Sequence, residues 1–443
     1  NIMSLGDTQA ESAGIPVKKI RLLSLAVAAF LSAGVVGFVG MMGFVGLAAA
    51  TLVRQMGVRT LSMRLICSFI VGALLLMLTD NGLMLLKHYR GTDLPAGAVT
   101  ALVGAPLLLW LTAKAPPRPS FQTTSDISTA APHVPRLLRF LLLIAVAVSV
   151  LAFTVGRYDE TLRLTIDPEY FVFRYPRVLL AAATGTMLAL TGVILQRLTQ
   201  NPMAGPELLG ISSGTAFGAM SVVMLFGITS GSGWFWLTGI VSALVSLGLL
   251  MLFNRKNGFT PEKILLTGMA LAALADAAIR IWMAIGDFRV QLLLLWMSGS
   301  TYQATHESAL TVGLLAAASL LLILTLQRWL GLLSLNATIA RSVGINVPLA
   351  RLVLIVSSAA LTALSTLLIG PLSFVGLLAP HLARMLGARL PKQQLAAAAL
   401  IGASVMMTAD WLGRQVMFPY EVPAGMMATL IGGAYFMMMM RKL

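Results

Sequence analysis

The chain repeatedly reaches close to twenty apolar residues with few or no charges. LLRFLLLIAVAVSVLAF (137–153) and LTVGLLAAASLLLILTL (310–326) are examples. Wound as a helix, a run of about twenty residues covers a bilayer core about 30 Å thick. In lipid every backbone polar group must be satisfied internally, so only helices or closed barrels cross. A barrel would show alternating segments of roughly ten residues, and none is visible. The expectation is an all-α polytopic membrane protein. Composition agrees: 58% of residues are hydrophobic and 11% charged, against about 25% charged in a soluble domain. The net charge is +15. In a soluble chain that would suggest nucleic acid. Here the basic residues sit in short loops, where they set orientation. Cys67, the single cysteine, lies inside an apolar run and makes no internal disulfide.

An internal repeat constrains the fold further. LGDTQAESAGIPVKKIRL (5–22) aligns with LNATIARSVGINVPLARL (335–352) at an offset of 330 residues. The same offset aligns GFVGLAAATLVRQMGVR (43–59) with SFVGLLAPHLARMLGAR (373–389). From Leu5 to Arg59, 22 of 55 ungapped positions are identical. With a two-residue shift, LPAGAVTALVGAPLLLW (94–110) matches VPAGMMATLIGGAYFMM (422–438). The reading is a tandem of two membrane units. Residues 1–113 are the last third of the first unit, with about four spans at 21–39, 42–56, 64–86 and 96–113. Residues 114–135, rich in Pro, Ser and Thr, are a cytoplasmic linker. Residues 136–443 are a second unit with about ten spans, including 176–198, 207–227, 374–388 and 394–416. The chain opens on Asn1, and its natural start is expected to lie upstream.

Between two of these spans stands QRLTQNPMAGPELLGISSGTAFG (196–218). Pro202 and Pro206 prevent a continuous helix. Gly205 and Gly210 let backbones turn and approach. The stretch therefore reads either as a broken re-entry, covered by protein or water, or as a tight loop before a packed helix. No G-x-x-x-x-G-K-[ST] occurs, so a Walker A nucleotide site is not expected.

QRLTQNPMAGPELLGISSG resembles the Q-x4-N-P-[LM]-A-x-P-x-x-L-G signature of the iron-siderophore and cobalamin permease family, the membrane subunits of ABC importers. RYPRVLLAAATGTMLALTG (174–192), GPLSFVGLLAPHLARMLG (370–387), TADWLGR (408–414) and VPAGMMATLIGGAYF (422–436) extend the likeness over the second unit. Two fused units are similar to the iron(III)-hydroxamate, ferrichrome-type branch. The resemblance implies transport of an iron(III)-hydroxamate chelate across a bacterial inner membrane. It implies two copies of a separate ATP-binding subunit, a periplasmic siderophore-binding protein and surrounding membrane lipid as partners, with no catalytic residue, cofactor or resident metal in this chain.

It also implies roles for particular residues. The repeated loops, through Leu5, Asp7, Glu11 and Gly14 and through Leu335, Arg341 and Gly344, would dock on the ATPase. Arg174, Arg177 and Arg414 would meet acidic residues of the binding protein, as a planar guanidinium suits carboxylates. The alternatives are headgroup anchoring for the first two and a local i,i+4 pair with Asp410 for Arg414. Gln196, Asn201, Pro202, Pro206 and Gly210 would form the gate or packing motif. Cobalamin, haem or a catecholate siderophore remain alternative cargoes. A secondary carrier or membrane enzyme is a reading of another class. Only Asp276 and Asp410 fall within spans of the second unit, too few acids for a proton relay.

Overall fold

A computed structural model describes residues 12, 14, 16–39, 42–91, 94–114, 133–158, 161–165, 167–228, 232–255, 259–284, 289–335 and 337–440. These are almost wholly helical. The first helices are α1 (Val17–Val39), α2 (Val45–Gln55), α3 (Leu61–Arg90) and α4 (Ala96–Lys114). Then come α5 (Val134–Thr154), the antiparallel hairpin β1 (Val155–Tyr158) and β2 (Thr161–Leu164), and α6 (Pro168–Thr199). A 3-10 turn, Pro206–Leu209, leads into α7 (Ile211–Phe226), α8 (Gly233–Asn254) and α9 (Pro261–Ala284). The rest is α10 (Arg289–Met297), α11 (His306–Thr325), α12 (Gln327–Leu335), α13 (Ala337–Ser342), α14 (Val347–Ile369), α15 (Val375–Met385), α16 (Pro391–Gln415) and α17 (Ala424–Met440).

Eight of these helices are long and apolar enough to cross a membrane, and four shorter apolar helices accompany them. Contacts divide the chain into two compact units, residues 1–114 with 276–285, and the remainder. The linker expected at 114–135 lies almost wholly outside the described residues.

The repeat is reproduced in helix boundaries. Helices α1, α2 and α3 begin at 17, 45 and 61, and α14, α15 and α16 begin at 347, 375 and 391, each 330 residues later. Phe44 and Phe374, the residues before α2 and α15, both adopt positive φ, 70° and 72°. The expected spans 42–56 and 374–388 are realised as these two helices. Each has 11 residues, about 16 Å of helix, half of a bilayer core. The apolar run overstated the helix. Its C-terminal part closes in a Schellman turn, Gly387 N to Arg384 O and Ala388 N to Ala383 O, which stops the helix.

The second unit is organised around α6, 83% of whose most apolar window is buried. Small residues allow this. A β-carbon placed on Gly402 of α16 would stand 2.7 Å from the Ala189 β-carbon of α6. Gly185 and Gly402 thus meet backbone to backbone, as do Gly192 and Gly376. Close approach of this kind replaces the hydrophobic driving force that lipid removes.

Candidate functional site

The N-terminal end of α6 carries the first group of expected residues. Asp167 caps the helix, its side chain accepting from Glu169 N at 3.1 Å, and Pro168 fixes the first turn. Arg174 and Arg177 follow about two and about three turns after this cap. Arg174 is buried and donates Nη1 to Phe153 O at 2.7 Å. Its guanidinium also lies 5.9 Å from the Tyr170 ring centroid. Arg177 Nη1 forks onto both Glu421 oxygens at 2.8 and 3.0 Å, and Nη2 donates to Thr301 Oγ1 at 3.3 Å. Its Nε faces Asp410 Oδ1 at 3.5 Å, an ion pair too long for a good hydrogen bond. Arg414 Nε donates to Asp410 Oδ2 at 3.0 Å, and Nη2 to Ala152 O at 3.3 Å. The Thr301 hydroxyl completes the set by donating to Asp410 Oδ1.

Asp410 is therefore the hub. Its side chain is fully buried, and two arginines and a threonine converge on it. A buried carboxylate is tolerated in this way, with charge and hydrogen bonds both met. The i,i+4 pair with Arg414 foreseen as an alternative is present. Arg157, on β1, donates Nη1 to Gln415 O at 3.1 Å, and its backbone N–H donates to Gln415 Oε1 at 2.8 Å. Arg157, Arg174, Arg177 and Arg414 line one shallow cleft of about 210 Å³, and Glu421 is the acid on its wall.

The opposite end of α6 carries the broken stretch. Gln200 takes a left-handed φ of 51° and ends the helix. Asn201 Oδ1 accepts from Met203 N at 2.9 Å, an Asx turn. Pro202 is exposed, whereas Pro206 is buried against Gly376. Gly210, φ 70°, starts α7 within contact of Gly268 on α9. Gln196 reaches across and donates to Leu377 O at 3.0 Å. Its neighbour Arg197 donates to Gln394 Oε1 at 2.6 Å, and Gln394 in turn donates to Pro380 O at 3.2 Å. The stretch ties α6, α15 and α16 together at this end.

Glu207, in the 3-10 turn, folds its carboxyl back over Gly205. Its Oε2 is sealed and has no hydrogen-bond partner. Burial pushes this carboxyl above the ordinary carboxylate range, outweighing its own backbone N–H.

The third group lies beside the second. Gln200 Nε2 donates to Ser334 O at 2.6 Å, so the end of α6 touches the last turn of α12, which leads from Leu335 into the segment with Arg341 and Gly344. Here α13 closes in a Schellman turn, Gly344 N to Arg341 O at 2.9 Å and Ile345 N to Ala340 O at 3.0 Å. Gly344 has φ 85° and nothing within 4 Å of where a β-carbon would be. Leu335, Arg341 and Gly344 are all exposed. Gly14 matches Gly344, with φ 78°, exposure and the same open space. Leu5, Asp7 and Glu11 lie outside the described residues.

Thr301, Glu421, Arg157 and Glu207 were not picked from sequence. No spacing rule links residues 177, 301, 410 and 421, so nothing short of the folded bundle could have grouped them. Among the described residues no three His, Cys, Asp or Glu side chains come together as a metal site.

Comparison with known proteins agrees with this architecture. The family model described as the FecCD transport family matches residues 1–114 and 137–442. The chain is 39% identical over 451 residues to the iron(3+)-hydroxamate import system permease protein FhuB of Escherichia coli K12, with all of this chain and 67% of that protein covered. It is 40% identical to FhuB of Salmonella typhimurium, with all of this chain and 65% of that protein covered. The chain thus spans about two thirds of the length of these two relatives. The hemin transport system permease protein HmuU of Yersinia pestis is 34% identical over 316 residues, 68% of this chain and 95% of that protein. A solved inward-facing structure of a metal-chelate type ABC transporter superposes with a TM-score of 0.62 at 28% identity, covering 70% of this chain and all of its own. With nearly its whole length matched by the family model, this chain is a member of the FecCD transport family.

Proposed function

We propose that the chain is the membrane subunit of an ABC importer that carries iron(III)-hydroxamate siderophores inward across a bacterial inner membrane. The observation that carries the reading is the doubled loop. Gly14 and Gly344 stand 330 residues apart, both left-handed, exposed and open. A turn presented twice suits two copies of one soluble ATP-binding subunit. The helix that enters the second loop, α12, touches the break at Gln200 through Ser334, so a push on the loop can pass through α12 to α6, the helix at the centre of its unit. The identity to two hydroxamate permeases over the whole chain supports the choice of cargo.

A periplasmic binding protein docks at the other end of α6. The cleft there has four arginines and one glutamate on its wall, an excess of positive charge that favours an acidic partner surface. Arg177 and Arg414 act there as the support of that surface, since both are engaged with Asp410.

The test is uptake of radio-iron-loaded hydroxamate siderophore by cells lacking their own permease and expressing the gene with its ATPase and binding protein. Unlabelled cobalamin, haem and a catecholate chelate serve as competitors. Uptake that survives all three and is lost with Gly344→Trp supports cargo and coupling together. Accumulation of a competitor in place of the hydroxamate would overturn the cargo. Unchanged uptake in Gly344→Trp would overturn the coupling role.

A further inference from the structure

The hairpin between α5 and α6 has two unlike edges. Its register pairs Val155 with Leu164, Gly156 with Arg163, Arg157 with Leu162 and Tyr158 with Thr161. Just before it, Thr165 N donates to Thr154 O at 2.8 Å, so those two residues form a hydrogen-bonded pair. Antiparallel pairs alternate between bonded and non-bonded. Gly156 with Arg163 is therefore bonded, whereas Val155 with Leu164 and Arg157 with Leu162 are not. In a non-bonded pair the backbone groups point away from the partner strand. On β1 those groups are met by α16: the Trp411 indole donates to Val155 O at 3.1 Å, and Arg157 N–H donates to Gln415 Oε1 at 2.8 Å. On β2 the outward N–H and C=O groups of Leu162 and Leu164 have no partner among the described residues. All four residues of the strand are exposed. The two leucines share one face and are 58% and 70% exposed. Arg163, on the other face, donates Nε to Thr161 Oγ1 at 2.9 Å and meets no carboxylate among the described residues.

We infer that the free edge of β2 is a strand-addition site for an extended segment of the periplasmic binding protein. This mode of docking rests on the arrival of that protein at this end of α6, proposed above. Three observations set the chemistry of the segment. A row of unpaired backbone groups on an exposed strand is a template for another strand, and main-chain hydrogen bonds of that kind supply affinity. Leu162 and Leu164 call for apolar side chains at alternate positions of the incoming segment, and Arg163 between them calls for an acid. The hairpin is also continuous with the four-arginine cleft, since Gly156 and Arg157 line it. One protein that covers the cleft therefore reaches the edge. Lipid covers the leucines but offers no donors and acceptors at the spacing of a strand.

The test uses the complete transporter, permease with its ATP-binding subunits, in nanodiscs, with the binding protein added. Leu162→Pro and Leu164→Pro each delete one outward N–H. The hairpin ladder stays whole, because those two N–H groups take no part in it, and proline is tolerated where an edge N–H faces outward. Each variant should raise the Kd for the binding protein about fivefold, the effect of one lost backbone hydrogen bond. Leu162→Ala, which keeps the N–H, should weaken binding less than Leu162→Pro. Hydrogen exchange on the parent transporter gives a second reading that needs no variant to fold. The Leu162 and Leu164 amides should exchange fast in the transporter alone and about tenfold more slowly once the binding protein is bound, while the Arg163 amide, already in the ladder, should change less. Tight binding with both amides unprotected, or with both proline variants at the parent Kd, would overturn strand addition and leave docking at the cleft intact. Slow exchange of both amides before the binding protein is added would also overturn it, because the edge would already be covered. A binding protein that does not bind the transporter at all would overturn the docking reading and strand addition together.

Discussion

Asp410→Leu tests whether the cluster at the head of α6 is a coupled unit. The substitution keeps a side chain of similar size and removes the carboxylate. Three groups lose an acceptor: Arg414 Nε, the Thr301 hydroxyl and, at longer range, Arg177 Nε. Arg177 retains Glu421 and Arg414 retains Ala152 O. Taking one partner from a buried pair costs about 3–5 kcal/mol. Single polar contacts measured within membranes are weaker, about 0.6–1.7 kcal/mol. Since both arginines keep one other acceptor, the lower end applies, and the loss should be about 3 kcal/mol. Adding Arg414→Met should then restore part of it, because the uncompensated charge goes with its partner. The double variant should fall about 1–2 kcal/mol below the parent chain. Unfolding by SDS in mixed micelles can follow Trp411 fluorescence, since that indole donates to Val155 O beside the cluster. Losses that simply add, within about 0.5 kcal/mol, would refute the coupling.

Three other outcomes are expected. Gly344→Ala meets no neighbour but must hold φ 85°, a local cost of about 1–2 kcal/mol; it should lower ATPase stimulation while leaving expression intact, measured in liposomes with the ATP-binding subunit. Gly402→Val pushes a branched side chain into the Gly185 backbone and should abolish folded protein by size-exclusion in detergent, whereas Gly248→Val, with open space, should not. Glu207→Gln should raise the melting temperature at neutral and alkaline pH. The folded carboxyl binds its proton more tightly than the unfolded one, so the native chain loses stability as pH rises from the ordinary carboxylate range through the raised folded value; the advantage of the glutamine should fade below the ordinary carboxylate range.

Much of the fold is legible along the chain, because its rules are local. An apolar run must become a helix in lipid, Pro202 and Pro206 must break one, and a repeat at one offset must place helices at that offset. Helices starting at 17, 45 and 61 and again at 347, 375 and 391 bear this out. The left-handed glycines at 14 and 344 follow from the same local logic. The i,i+4 relation of Asp410 and Arg414 was equally visible, since helix geometry alone makes them neighbours.

What the chain could not say is which distant residues meet. Hydropathy reads composition over a window, so it cannot see that α2 and α15 stop at half a bilayer; the Schellman turn that stops α15 depends on backbone closure. Nor can spacing show that Arg177 reaches Asp410, Glu421 and Thr301, or that Gln200 touches Ser334. Those contacts exist because Gly185, Gly192, Gly376 and Gly402 let α6 press against α15 and α16. Rules that act along the chain specify a helical membrane protein built from a repeated unit. The packing of α6 decided which of its charges are joined, because burial and pairing are properties of the space between helices.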